Sequence, residues 1–271
     1  MIGASAIVRK GVKAAVLPLG LLRPRRRGDL VVLLYHRVGA GDREIDLPRR
    51  SFEHHLETLL AHDRLLTLDE AMSDDEGGVV LTFDDGYRDF HSHVLPLLVG
   101  YRVPGLLYLA TGLVANGDAR VSAPEPPLTW SMLREAASTG LVTIGAHTHS
   151  HADLSSATQD EAEVEMLRSK ELIEDRIGTS CRHFAYPWGV GSDGARRAAA
   201  RLFDTAALDS WKTNRRGALD RHRLGRTPVL RNDGRVFFRA KTLGLLDGEA
   251  FAYRLLRRGP WRSPDAHGVA R

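Results

Sequence analysis

Short apolar runs, each ending in a polar residue and followed by a stretch of helical spacing, constrain this chain more than any other feature. Leu30 to Tyr35 reads Leu-Val-Val-Leu-Leu-Tyr and is followed by His36. After a Gly-Gly break, residues 78–83 run into Asp84 and Asp85, and Gly86 lets the backbone turn. Pro104 to Ala110, Leu141 to Ala146, His183 to Tyr186 and Asp204 to Leu208 repeat the pattern, and Val229-Leu230 gives a seventh run. Uninterrupted apolar runs are what strands covered on both faces require. Between them, Ser51 to Leu66 puts Phe52, Leu56, Leu59 and Leu60 on one helical face, with Ser51 as cap. Thr129 caps a helix from Trp130 to Ser138, and Ser156 lies in the cap region of a long one from Ser155 to Ile177. Ala195 to Leu202 is a further helix. Strands alternating with helices over residues 30 to 230 imply a parallel sheet; closed, it is an α/β fold, a (β/α)7-type TIM-like barrel.

In such a barrel the C-terminal ends of the strands converge on one face, where active sites are built. The residues at those ends are His36, Asp84, Asp85, Thr111, His147 and Pro187-Trp188. Adjacent carboxylates repel each other, and a cation resolves the conflict if one binds it while the other stays free as a base. His147 and His151, four residues apart, fall on one side of a helical turn and can grip the same ion; His149 points elsewhere. Two imidazoles and one carboxylate, with positions left open, suit a catalytic Zn²⁺ and would also accept Co²⁺, Ni²⁺ or Fe²⁺.

Composition narrows the remaining classes. A chain of 271 residues, 43% hydrophobic and 27% charged, can bury one large core. No apolar run approaches the ~20 residues of a membrane span. The net charge of +4 gathers at the termini, with no basic face interleaved with aromatics, so nucleic acid is not expected as a partner. Cys181 is the only cysteine, which excludes an intrachain disulfide and a cysteine-based zinc site. Three parts are expected: a basic N-terminal segment at 1–28, a catalytic domain at 29–240 and a basic C-terminal extension at 241–271 carrying Phe251, Tyr253, Leu255 and Leu256. In the first, Arg9, Lys10 and Lys13 precede the run Ala14 to Leu22, and Arg23 and Arg25 to Arg27 follow. That positive cluster opposes translocation, so a cytoplasmic chain is expected. Its N-terminal segment is then either a peripheral contact with an anionic membrane or a solvated tail.

Three motifs together resemble a known family. Thr-Phe-Asp-Asp-Gly at 82–86, His-Thr-x-x-His at 147–151 and Phe-Ala-Tyr-Pro-Trp-Gly at 184–189 are similar to those of the polysaccharide deacetylases, carbohydrate esterase family 4 with its NodB-homology domain. The opening Leu-Leu-Tyr-His-Arg-Val at 33–38 extends the likeness, and the third motif matches the Phe-Ala-Tyr-Pro subgroup, similar to the poly-N-acetylglucosamine deacetylases. The resemblance implies a distorted barrel and removal of acetyl groups from an N-acetylated glycan. It implies Asp85, His147 and His151 as metal ligands, Asp84 as general base, and the Trp188 N–H as donor to the oxyanion. Tyr186, Pro187 and Trp188 would then contact the substrate.

Two departures stand out. Ala185 occupies the place where many relatives carry an arginine paired with the base, so Arg226 or Arg182 is expected to supply that charge, Arg226 at the substrate site. The late Leu-x-His motif, source of the general acid, is absent; His222 and His267 lack its context. His36, at the end of the first strand, is therefore the expected proton donor, with His222 in a solvated loop. The alternatives are a C–N hydrolase for a small non-sugar amide and a non-catalytic glycan-binding domain. An intact Asp84 argues against the second, because binding needs no free base.

Overall fold

The computed structural model describes residues 4–22, 24–39, 41–73, 75–114 and 126–252, with residues 4–9 described by backbone alone. In chain order the elements begin with α1 (Ala4–Gly20), β1 (Leu30–Tyr35), β2 (Arg37–Val38), β3 (Asp46–Leu47), α2 (Arg49–His62) and α3 (Leu68–Ser73). There follow β4 (Gly78–Phe83), α4 (Leu95–Tyr101), β5 (Gly105–Leu109), α5 (Trp130–Ser138), β6 (Val142–Ala146) and α6 (Gln159–Ile177). β7 (His183–Ala185), α7 (Asp193–Leu202), β8 (Thr205–Leu208), β9 (Leu224–Pro228) and α8 (Gly234–Thr242) complete it. β1 and β4 to β9 pair in parallel in that order, and β9 returns to β1 with Val32 opposite Arg226, closing a seven-stranded barrel. The expected (β/α)7 architecture is present.

Side-chain alternation along the strands sorts residues into two cores. Leu30, Val32, Val80, Leu106, Tyr108, Ala185, Ala207 and Leu224 pack with one another inside the barrel and at its lower end. Their neighbours Val31, Leu33, Tyr35, Val79, Leu81, Phe83, Leu107, Phe184 and Ala206 turn outward to the helices. Counting on in twos from the inward set reaches Asp84, Asp209 and Arg226 at the upper end, and His147 alternates with the outward-facing Val142, Ile144 and Ala146 of β6. The period that fills the barrel therefore also aims the polar groups into its mouth.

Several boundaries differ from the sequence reading. The seventh strand is β9, ending at Pro228, which has no N–H to continue the ladder; Val229 still donates to Leu34 O at 2.8 Å. α6 starts at Gln159 because Thr158 and Glu161 form a reciprocal capping box, and Ser156 lies outside it. Such a cap contributes roughly 0.5–2 kcal/mol. α2 begins after Pro48, so Ser51 lies within the helix. The π-helical turn Phe90–Val94 leading into α4, and α8, were not foreseen.

The N-terminal segment is not a solvated tail. In α1, Val12 and Val16 are buried against Trp211, Leu230, Leu245, Leu246 and Ala250, forming a third apolar cluster with the segment that follows α8. The Lys13 ammonium is fully buried and pairs with Asp233, which also accepts from Lys241 Nζ at 2.8 Å. Among the described residues no helix is long and apolar enough to cross a membrane. Most of the expected loop at 115–127, together with Tyr253, Leu255, Leu256 and His267, lies outside the described residues.

Candidate functional site

One cleft at the C-terminal end of the barrel is lined by His36, Asp84, Asp85, His147, His151, Trp188 and Asp209. β4 ends at Phe83, and the Asp84 N–H still donates to Tyr35 O at 3.1 Å, so the strand geometry carries its carboxylate inward. Asp85 then takes a left-handed conformation, φ 74°, which swings its side chain toward the two histidines. His151 Nε2 lies 3.3 Å and His147 Nε2 3.6 Å from Asp85 Oδ1.

The two histidines reach this point by a route the sequence did not suggest. Residues 147–151 form a loop, not a helical turn, with Thr148 at φ 61° and His151 at φ 58°. Side chains close it: Thr148 Oγ1 accepts from the Ala152 N–H at 3.1 Å, and Glu165 of α6 accepts from the N–H groups of His149 and Ser150 at 3.0 and 2.8 Å. His149 turns away, as expected, and meets Thr111 Oγ1 at 3.0 Å. His147 Nδ1 lies 2.8 Å from Ala185 O and so carries the proton, leaving Nε2 with a lone pair directed at Asp85. Six described non-glycine residues have left-handed φ, and Asp85, Thr148, His151 and Trp188 are four of them. Such strain, about 1–3 kcal/mol per residue, persists only where the surroundings over-determine the backbone.

Electrostatics favour a cation here. Burial raises the Asp85 carboxyl, but the hydrogen bond and charge of His151, with His36 and His147, outweigh it and hold the group well below the usual carboxylate range. Burial pushes His147 down to about 4, which keeps the ring neutral, the form that ligates. His151 is shifted upward, its burial outweighed by Asp85. Ligand atoms of Asp85, His147 and His151 all lie within 4.8 Å of one another. The 3.3 and 3.6 Å separations from Asp85 to the two rings are near the edge of about 3.4 Å expected of a tetrahedron with ligands ~2.1 Å from its centre. Asp84, Asp85 and Asp209 also set three carboxylates against the guanidinium of Arg226, an excess that a divalent cation balances. The residues fit a metal ion.

Arg226 is fully buried, so it presents no surface to a substrate. It holds Asp84 in a fork, Nη1 to Oδ1 at 2.6 Å and Nη2 to Oδ2 at 2.8 Å, and bonds Asp209 Oδ1 at 2.8 Å. It thus fills the place left by Ala185, whereas Arg182 is half-exposed and pairs with Asp69 and Asp204. Asp209 was missed by the sequence reading. It directly follows β8 as Asp84 follows β4, so the strand-end rule would have found it. Burial raises its carboxyl against the pull of Arg226, and Asp84 adds to the rise. Gly189, at φ 67°, is required beside it, since a Cβ there would sit 2.3 Å from Asp209 Cβ.

The third motif divides between core and cleft. Tyr186 is 1% exposed, stacks edge-on to Phe184 and donates to His222 O at 3.2 Å, so it packs the core and does not wall a substrate. Pro187 is likewise buried. Trp188, half-buried at φ 60°, sets its ring edge-on to His151 with centroids 4.8 Å apart. His36 stands half-buried at the end of β1, next to Arg37, whose side chain is buried against Asp46 and Asp89. His222 lies away from the cleft, with Nε2 2.9 Å from Phe203 O.

Comparison with known proteins agrees with this geometry. YxkH of Bacillus subtilis (strain 168) is 24% identical over 188 residues, 66% of this chain and 64% of that protein. The poly-beta-1,6-N-acetyl-D-glucosamine N-deacetylase of Escherichia coli (strain K12) is 38% identical over 81 residues, 27% of this chain and 12% of that one. The matches thus span less than two thirds of the length of either relative. Among solved structures, the Streptococcus pyogenes deacetylase PplD in complex with acetate superposes with a TM-score of 0.69 at 22% identity, covering 80% of this chain and 99% of that one. IcaB from Ammonifex degensii gives 0.69 at 24%, covering 84% and 98%. At these identities the two structures establish the fold. The sequence profile of the polysaccharide deacetylase family matches residues 71–205, from within α3 to the first residue of β8. Because that stretch carries Asp84, Asp85, His147, His151 and Trp188 in the arrangement described, the chain belongs to the polysaccharide deacetylase family.

Proposed function

We propose that this chain is a metal-dependent hydrolase that releases acetate from an N-acetylated glycan, with Zn²⁺ as its ion. The observation that carries the reading is a free carboxylate, Asp84, fixed by Arg226 beside a separate ligand set of Asp85, His147 and His151. The name of the Escherichia coli relative supports an N-acetylglucosamine polymer as substrate. A Zn²⁺ held by those three residues would supply Lewis acidity, polarising the acetyl carbonyl and lowering the pKa of a water molecule.

The rest of the chemistry belongs to the chain. Asp84, which lines the cleft, accepts the proton of the attacking water, and the Arg226 fork fixes the orientation of its carboxylate. The Trp188 N–H donates to the oxyanion that forms on the acetyl carbon. His36, across the cleft, gives a proton to the nitrogen as the C–N bond breaks, so acetate and a free amine leave.

The test is acetate release from a panel of N-acetylglucosamine oligomers by zinc-loaded protein, with and without chelator. Release that stops with chelator and returns with zinc is expected. Release indifferent to chelator, or none from any oligomer, would overturn the reading. A cytoplasmic location with a peripheral membrane contact through the basic N-terminal segment, 1–28, completes the proposal, supported by the exposed Leu19, Leu21 and Leu22. Recovery of the native chain from an exported fraction would contradict it.

A further inference from the structure

A second cleft, about 260 Å³, lies on the same rim of the barrel, where the segments leaving the adjacent strands β1 and β9 meet. The start of α2 and the segment from Leu230 into α8 form its walls. Arg50, His54, His55, Arg231 and Arg235 line it, with no carboxylate among the described residues of the lining. His55 stacks flat on Phe238, centroids 3.6 Å apart, and ties the two helices together beneath the cleft.

Three guanidiniums facing one hollow repel one another, and no carboxylate of the lining offsets them, whereas Arg226, Arg215 and Arg239 are each paired with an acid: Asp84, Asp29 and Asp63. Arg50 and Arg235 form no ion pair or hydrogen bond among the described residues. Arg231 is held in place by carbonyl oxygens, its Nη1 donating to Asp46 O at 2.8 Å and Gly41 O at 3.3 Å. Burial lowers His55 to about 3, so the floor is a neutral imidazole that adds no charge of its own.

We infer that this cleft binds a phosphate group, clamped between Arg50 and Arg235 and steadied by Arg231. The planar fork of arginine matches the oxygens of a phosphate and binds them in pairs. The phosphate has two chemical sources, a free or monoester phosphate and the diester of a lipid headgroup or polymer. The inference is independent of the acetate-releasing reaction, since none of these residues lines the catalytic cleft.

The test is calorimetric titration of the full chain with inorganic phosphate and, separately, with glycerophosphoglycerol as the soluble diester. The variants are Arg50→Ala/Arg235→Ala and a control, Arg197→Ala, which removes charge from α7. Each arginine lost should weaken binding by about tenfold, and the control should bind as the native chain does. Saturable binding of inorganic phosphate alone identifies a monoester or free ion as the source. Binding of the diester identifies a headgroup or polymer, and either result supports the site if the double variant loses it. No binding of either probe, or equal weakening in the control, would overturn the inference.

Discussion

Replacing Arg226 with methionine isolates the interaction on which the cleft is built. The guanidinium is enclosed, with three hydrogen bonds of 2.6 to 2.8 Å to Asp84 and Asp209 and its carbon 5.3 Å from the Tyr108 ring centroid. Methionine fills much of the volume but leaves two buried carboxylates facing each other. Breaking a buried pair in this way costs about 3–5 kcal/mol, because it leaves an uncompensated buried charge. The chain can recover part of that by protonating one acid, and Asp209, already raised, is the one that takes the proton. The sign follows: a carboxyl raised in the folded state binds protons that the unfolded chain does not, so the deficit is largest at high pH and shrinks as pH falls. Urea unfolding of metal-free protein at about pH 8 should show the full 3–5 kcal/mol loss, and at about pH 5 a smaller one. Adding Asp209→Asn should restore part of the loss at high pH, because only one acid then remains. A variant within about 1 kcal/mol of the native chain at both values would refute the reasoning.

Other outcomes follow from the same geometry. Glu165→Ala removes the acceptor that shapes the loop between the two histidine ligands, so zinc affinity should fall by about 10–100-fold, with Glu165→Gln in between; unchanged titration curves would count against that role. His36→Ala should lower kcat at least about tenfold while His222→Ala leaves it near normal; the reverse order would move the proton donor to residue 222. His55 stays neutral when folded down to about pH 3, whereas the unfolded chain protonates it near 6.5. Stability should therefore decline as pH falls through that window, by up to about 1.4 kcal/mol per unit, and His55→Phe should flatten the slope; identical slopes would contradict it.

The barrel was legible because its strands are uninterrupted apolar runs that end on polar residues, a pattern set by burial on both faces. Strand ends are reliable where a polar residue stops the run, as at Asp84 and His147. β9 was misplaced because Leu224-Gly225-Arg226-Thr227-Pro228 does not read as apolar. Its arginine is buried only because two acids from β4 and β8 meet it, a tertiary fact no local window contains. The meeting of His147 and His151 was legible from their spacing, but the backbone that delivers them was not. A helical turn and a strained loop can both bring rings four residues apart together, and Glu165, distant in sequence, decides between them. Tyr186 was read as a wall for the substrate because aromatic residues near a motif serve either purpose. Its neighbours, Phe184 and the carbonyl of His222, put it in the core. The packing of α1 on the segment after α8 depends on Lys13 meeting Asp233, an ion pair across 220 residues.

The central claim is the division of labour between two adjacent acids, Asp85 for the ion and Asp84 for the proton. Titrating zinc into the native chain, Asp84→Asn and Asp85→Asn, by calorimetry on metal-free protein, tests it directly. The account predicts one tight ion per native chain, retained in Asp84→Asn and lost in Asp85→Asn. Zinc held by Asp85→Asn and lost from Asp84→Asn would contradict it.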